Sequence, residues 1–149
     1  PGTNELEWIC LGRRERRDND DEAAMLRLRS TDGGRTWDED GLFIPGLRYP
    51  PDMAVLSDDS ILVAYGYRDQ PEGARATRLF DDGRRWSETE LVVHDTAPNF
   101  DTGYASVVIH DGWVVIAFYD ADGGDVYEYE KAFCEVVRVR EEEILEVLV

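Results

Sequence analysis

The residues of this chain best equipped for chemistry fall in stretches that read as loops between strand-like runs. Arg48, Tyr49 and Asp52 sit in Pro45 to Asp52, and Tyr67, Arg68, Asp69 and Glu72 in Gly66 to Gly73. Asp101 and Tyr104 sit in His94 to Tyr104, and Tyr119 and Asp120 lead into the stretch ending at Asp125. A guanidinium is planar and pairs bidentately with a carboxylate, so Arg68 is a candidate ligand for an acidic small molecule, and Arg48 a poorer one. Arg68 also fits a plain loop ion pair with Asp69 or Glu72, but its loop favours the site reading. Tyr49 and Tyr119 read as packing residues, and His94 and His110 as ordinary turn residues. No His/Asp/Glu spacing indicates a metal site, and no glycine-rich loop follows a strand and opens a helix, so neither metal nor nucleotide cofactor is expected.

The element that positions these loops is the stretch Ser30-Thr31-Asp32-Gly33-Gly34-Arg35-Thr36-Trp37, with the spacing Ser-x-Asp-x-Gly-x-x-Trp. Asp32 can accept hydrogen bonds from the amides of its own turn. Gly33 and Gly34 can take the positive φ of a tight hairpin. Trp37 can fold back as an apolar plug beneath it. The stretch resembles the Asp-box of the sialidase-like, or BNR-repeat, β-propellers. A degenerate second copy follows, with Asp81, Gly83 and Trp86 in the same mutual spacing and Leu79 at the serine position. The two tryptophans lie about one propeller blade apart. A second repeat supports this reading. Tyr49 to Leu56, the turn Ser57 to Ser60 and Ile61 to Gly66 resemble Tyr104 to Ile109, the turn His110 to Gly112 and Trp113 to Tyr119.

Alternation and turn spacing predict an all-β chain. The expected strands are Leu6 to Leu11, Met25 to Arg29, Leu42 to Pro45, Met53 to Leu56, Ile61 to Tyr67, Ala74 to Leu79 and Glu90 to Val93. Ala105 to Ile109, Trp113 to Tyr119, Val126 to Phe133 and Val136 to Arg140 follow. Arg13 to Glu22 reads as an exposed charged loop. Glu141 to Val149 fits a short helix or a closing strand. The count is about two and a half to three four-stranded blades, with remnants near 1–45, 46–93 and 94–149. Propellers close with four to eight blades and the sialidase family uses six, so the resemblance implies a partial propeller. The missing half then comes from elsewhere, or the chain self-associates through its open faces.

Composition excludes several functions. Across 149 residues, 33 acidic and 16 basic side chains give a net charge of −17, the wrong sign for a phosphate-binding surface, so no nucleic-acid partner is expected. No apolar run is long enough for a membrane-spanning helix, and no secretory signal is visible, which leaves the compartment open. Cys10 and Cys134 define neither a disulfide framework nor a zinc site. They read as buried free thiols, with a single terminus-to-terminus disulfide as the alternative.

In the sialidase-like family the Asp-boxes lie opposite the active site. Strand alternation then puts Gly66 to Gly73, Asp120 to Asp125, Pro45 to Asp52 and His94 to Tyr104 together on the pocket side. Family members bind a carboxylated sugar with three arginines. They use a tyrosine nucleophile aided by a glutamate, and an aspartate as acid/base. The resemblance implies Tyr104 as nucleophile, in Asp101-Thr102-Gly103-Tyr104-Ala105-Ser106, which is similar to the Gly-Tyr-Pro-Ser variant of such proteins with Ala105 in place of proline. It implies Arg68, Arg48 and Asp101 as substrate-binding residues. Tyr104 equally fits a strand-end aromatic with its hydroxyl in solvent. The implied function is a partial sialidase-like glycoside hydrolase acting on terminal acidic sugars, incomplete as an enzyme alone. The alternatives are a non-catalytic Asp-box module that binds glycan or protein, and a self-associating half-propeller.

Overall fold

The computed structural model describes residues 7–14, 23–46, 48–122 and 131–149. The fold is all-β, with antiparallel sheets and one short helix. The strands are β1 (Trp8–Arg14), β2 (Ala24–Ser30), β3 (Asp38–Pro45), β4 (Arg48–Val55), β5 (Ile61–Tyr67), β6 (Gly73–Phe80), β7 (Arg85–Trp86) and β8 (Leu91–His94). They continue with β9 (Gly103–His110), β10 (Trp113–Asp122) and β11 (Lys131–Arg140), and the chain closes with helix α1 (Glu141–Val147). Three sheets form, in the orders β1-β2-β3, β4-β5-β6-β7 with β8 also on β6, and β9-β10-β11. Among the described residues no sheet closes on itself.

The middle sheet organises the core. Strand β5 reads Ile-Leu-Val-Ala-Tyr-Gly-Tyr and is buried along nearly its whole length. Such a continuous apolar run belongs to a strand covered on both faces. Ile61, Val63 and Tyr65 cluster with Met25 and, at its rim, Ile9, Leu11 and Ile44 of the first sheet. The alternate residues Leu62 and Ala64 cluster with Val107, Val114, Ile116 and Phe118 of the third. One period-two strand therefore joins two cores. Asp52 on β4 ties the middle and third sheets more locally. Its carboxylate accepts from the Val107 amide at 2.9 Å and the Ser106 hydroxyl at 3.0 Å.

The hairpin tip between β2 and β3 forms as its spacing predicts. Asp32 Oδ1 accepts from the amides of Arg35 and Thr36, each at 2.9 Å, and Oδ2 from the Thr36 hydroxyl at 2.7 Å. The Ser30 hydroxyl accepts from the Gly34 amide and donates to Asp32, both at 2.8 Å. Gly34 has φ +84°, and a Cβ there would meet the Trp8 ring at 3.0 Å, so no other residue fits without strain. Trp37 donates its indole N–H to the Gly34 carbonyl at 3.0 Å but stays 38% exposed. It lies against the turn rather than plugging it, and Trp8 covers the glycine instead. These hydrogen bonds hold the Asp32 carboxyl down at about 2. With the folded value below the usual ~3.9, the linkage stabilises the turn above pH ~4 and is lost as pH falls toward 2. A carbon-detected pH titration should place the Asp32 midpoint near 2. A midpoint near 4 would show that the turn bonds do not form in solution.

The second box folds differently. Without serine at Leu79, Asp81 accepts no amide of its turn but pairs with Arg85 at 3.3 Å, and Asp81, Asp82 and Gly83 carry the positive φ.

Other expectations are corrected. Arg13 and Arg14 continue β1 instead of opening a loop, while 15–22 lie outside the described residues. Strand β4 begins at Arg48, so Arg48, Tyr49 and Asp52 belong to a sheet edge, with a register shift between Arg48 and Pro51 that accommodates the two prolines. The two strands expected near the C-terminus meet in one: β11 runs through both Phe133 and Val136, and 123–130 lie outside the described residues. Glu141 to Val147 is helical because Ile144 and Leu148, four residues apart, bury one face while three glutamates occupy the first turn. Cys10 and Cys134 are both free, as expected, but both exposed, because each lies on an outward position of an outer sheet.

Candidate functional site

Four loops and strand ends meet at one end of the sheets, opposite the β2–β3 hairpin tip. Arg68, just past β5, reaches over to the segment before β9. Its Nε donates to the Thr102 carbonyl at 3.1 Å and its Nη2 to Asp101 Oδ1 at 3.0 Å. The ion pair expected with Asp69 or Glu72 is replaced by this one, because β5 and β9 pack side by side and bring Asp101 closer than the loop's own acids. Tyr119, at the end of β10, donates its hydroxyl to the same Asp101 oxygen, 3.4 Å from Arg68 Nη2. The Tyr104 ring lies against Tyr119, with centroids 5.6 Å apart. The structure thus brings Arg68, Asp101, Tyr104 and Tyr119 into one constellation.

Its electrostatics separate the two tyrosines. Burial, the hydrogen bond to Asp101 and that carboxylate's charge push the Tyr119 hydroxyl well above the usual range, against a smaller opposing pull from Arg68. Tyr119 therefore stays a neutral donor that orients Asp101. Tyr104 is 56% exposed, and no carboxylate among the described residues holds its hydroxyl. Its backbone has φ +48°, directly after Gly103. A bulky side chain rarely takes this conformation, and such strain gathers where a side chain must be aimed. Here the ring stands exposed against Tyr119, whose hydroxyl rests on Asp101.

Arg48 lies one step away. It bonds Asp69 at 2.9 Å and Glu90 at 3.0 Å, and stands over the Tyr67 ring at 4.7 Å. Arg75 covers the same ring at 4.4 Å, and the buried Tyr65 hydroxyl donates to Glu90 at 2.5 Å. Arg48 and Arg68 bond different acids, Asp69 and Glu90 against Asp101. Glu90 also accepts from the buried Tyr65 hydroxyl, which ties Arg48 to the middle sheet.

Sequence reading passed over Thr102, and named Asp120 among the loop residues without giving it a role. Thr102 is fully buried, and its hydroxyl donates to Asp120 while lying 3.0 Å from the Tyr119 carbonyl. The only local sign was two polar residues beside an apolar strand, which many loops share.

No family model matches the chain, and no curated protein does. Among solved structures, it is similar to a protein of unknown function from Dyadobacter fermentans. The two share 24% identity over 90% of this chain, with a TM-score of 0.63. The match covers 35% of that protein, so the chain spans about a third of its length. The likeness is one of fold.

Proposed function

We propose that this chain is part of a sialidase-like Asp-box propeller and contributes part of a pocket for a terminal acidic sugar. Tyr104 is its nucleophile and Arg68 the charge that meets the sugar carboxylate. The observation that carries this reading is the exposed Tyr104 held at positive φ against Tyr119, whose hydroxyl joins the Arg68–Asp101 pair. A phenolate nucleophile avoids driving one anion onto another beside a carboxylated substrate, which is the advantage of tyrosine here. The complete hydrogen-bond pattern of the first box supports the family resemblance. The remaining catalytic groups are supplied by blades beyond the three sheets.

A second reading has its own support. Arg68 is already neutralised by Asp101, which suits a non-catalytic module binding glycan or protein.

The test is an NMR titration with N-acetylneuraminate and with its uncharged methyl ester. The acid should perturb Gly103, Tyr104 and Tyr119 with a Kd on the order of 1 mM, as befits a partial site. The ester should bind at least about tenfold more weakly, and Arg68→Ala should cost about as much, since a charge-assisted pair contributes roughly 1.5–3 kcal/mol. Arg68→Lys, which keeps the charge, should lose less. Equal binding of acid and ester would sink the carboxylate role. Hydrolysis by a complete propeller that persists in Tyr104→Phe would remove the nucleophile.

A further inference from the structure

Beneath the constellation, His94 at the end of β8, Asp120 on β10 and Glu135 on β11 form a second cluster. With one ligand atom from each, the three lie within 4.8 Å of one another. His94 Nε2 and Asp120 Oδ2 face each other at 2.8 Å, and His94 Nδ1 is 3.8 Å from Glu135 Oε2. Asp120 is 1% exposed. Although close, Nε2 and Oδ2 are not aligned as an N–H···O hydrogen bond, and both atoms are buried without a hydrogen-bond partner. A buried carboxylate oxygen without a hydrogen bond is costly unless a positive charge meets it.

The geometry points to a divalent-metal site in which His94, Asp120 and Glu135 are the protein ligands. The pairing of one imidazole with two carboxylates selects the class. All-oxygen sets suit magnesium and calcium, whereas an imidazole favours zinc and its first-row neighbours. Three protein ligands leave a position for water or a small anion. Glu135 has over a third of its side chain exposed, so it can rotate from Nδ1 toward the metal. The surroundings match what ligands need from their neighbours. The Thr102 hydroxyl donates to Asp120 Oδ1 and leaves Oδ2 for the ion. The His94 ring is braced on Phe118 with centroids 5.3 Å apart, and its carbonyl is gripped by Arg75. A Cβ on Gly73 would meet that carbonyl at 2.1 Å, so only glycine lets β6 approach His94 so closely. The three ligands come from three strands far apart in sequence, which is why no spacing motif announces them. The site stands whatever becomes of the sugar reading, but Thr102 links the two, since its carbonyl holds Arg68.

The experiment is a zinc titration of the chain by calorimetry and NMR, with millimolar magnesium present to occupy exposed carboxylates. One equivalent should bind with a Kd on the order of micromolar. The His94 ring resonances should move while those of His110, the other histidine and an exposed one, stay put. His94→Gln and Asp120→Asn should abolish the binding, and Glu135→Gln should weaken it at least about tenfold. Thr102→Val should cost about 10–100-fold, as for other groups that orient a ligand. Circular dichroism of Glu135→Gln, a surface change, separates lost binding from lost folding. Zinc uptake without saturation at one equivalent, uptake unchanged in Glu135→Gln and His94→Gln, a moving His110, or displacement by magnesium would each overturn the site.

Discussion

Replacing Arg78 by methionine should lower the stability of this chain by about 4 kcal/mol, although the substitution keeps much of the apolar stem. Arg78 sits on β6 with 3% of its surface exposed. Its guanidinium donates to the Ser60 hydroxyl at 2.8 and 3.1 Å and pairs with Asp58. It also donates to the Leu148 carbonyl at 2.6 Å and the Leu145 carbonyl at 3.3 Å. The last turn of α1 has no basic residue of its own, so a cation from the neighbouring sheet satisfies its carbonyls. Breaking a buried charge network from one side costs roughly 3–5 kcal/mol. For a chain of this size that is a melting temperature lower by about 8–15 °C. Hydrogen exchange should show α1 losing protection first, since the polar ties left at its last turn are the longer ones from the Thr89 hydroxyl to the Val147 carbonyl and from the Glu88 amide to the Val149 carbonyl. A variant that melts with wild type would mean that α1 is held without the Arg78 bonds.

Glu90→Ala should cost about 3 kcal/mol, through the other buried network. Glu90 is 30% exposed, yet it accepts from both Arg48 and the Tyr65 hydroxyl, and Tyr65 has no exposed surface. The substitution strands a buried phenol and half-unpairs an arginine that is only 14% exposed. The same network sets an alkaline limit. Burial first, then the charge of Glu90, push the Tyr65 hydroxyl far above its ordinary range. Because the folded value is raised, the contribution is complete below the unfolded value of ~10 and is lost as pH rises past it. Urea melts should weaken between pH ~10 and 11 in wild type, and less so in Tyr65→Phe. Equal slopes would assign the loss to other groups.

Local chemistry alone dictated much of this fold. The box spacing predicts a turn whose donors and acceptors are all within seven residues, and Asp32, Ser30 and Gly34 take those roles. The apolar run from Ile61 and the alternation in Trp113 to Tyr119 predict their strands, because a period of two is an intrinsic property of extended backbone. The candidate site was legible only by address. Strand alternation, together with the resemblance, assigned Arg68, Asp101 and Tyr104 to one end, yet Asp101 is 33 residues from the arginine it neutralises.

What the sequence by itself determined is therefore the all-β class, the first hairpin and the set of residues sharing one end. Only the tertiary structure decided the partners. It gave Arg68 to Asp101 rather than Asp69, Arg48 to the middle sheet, Arg78 to the helix, and His94 to a buried aspartate. The reason is range. Turn sterics and side-chain period act over a few residues and are written in them. Ion pairs and ligand sets form where separate sheets happen to abut, and that depends on the packing of β5 against both its neighbours.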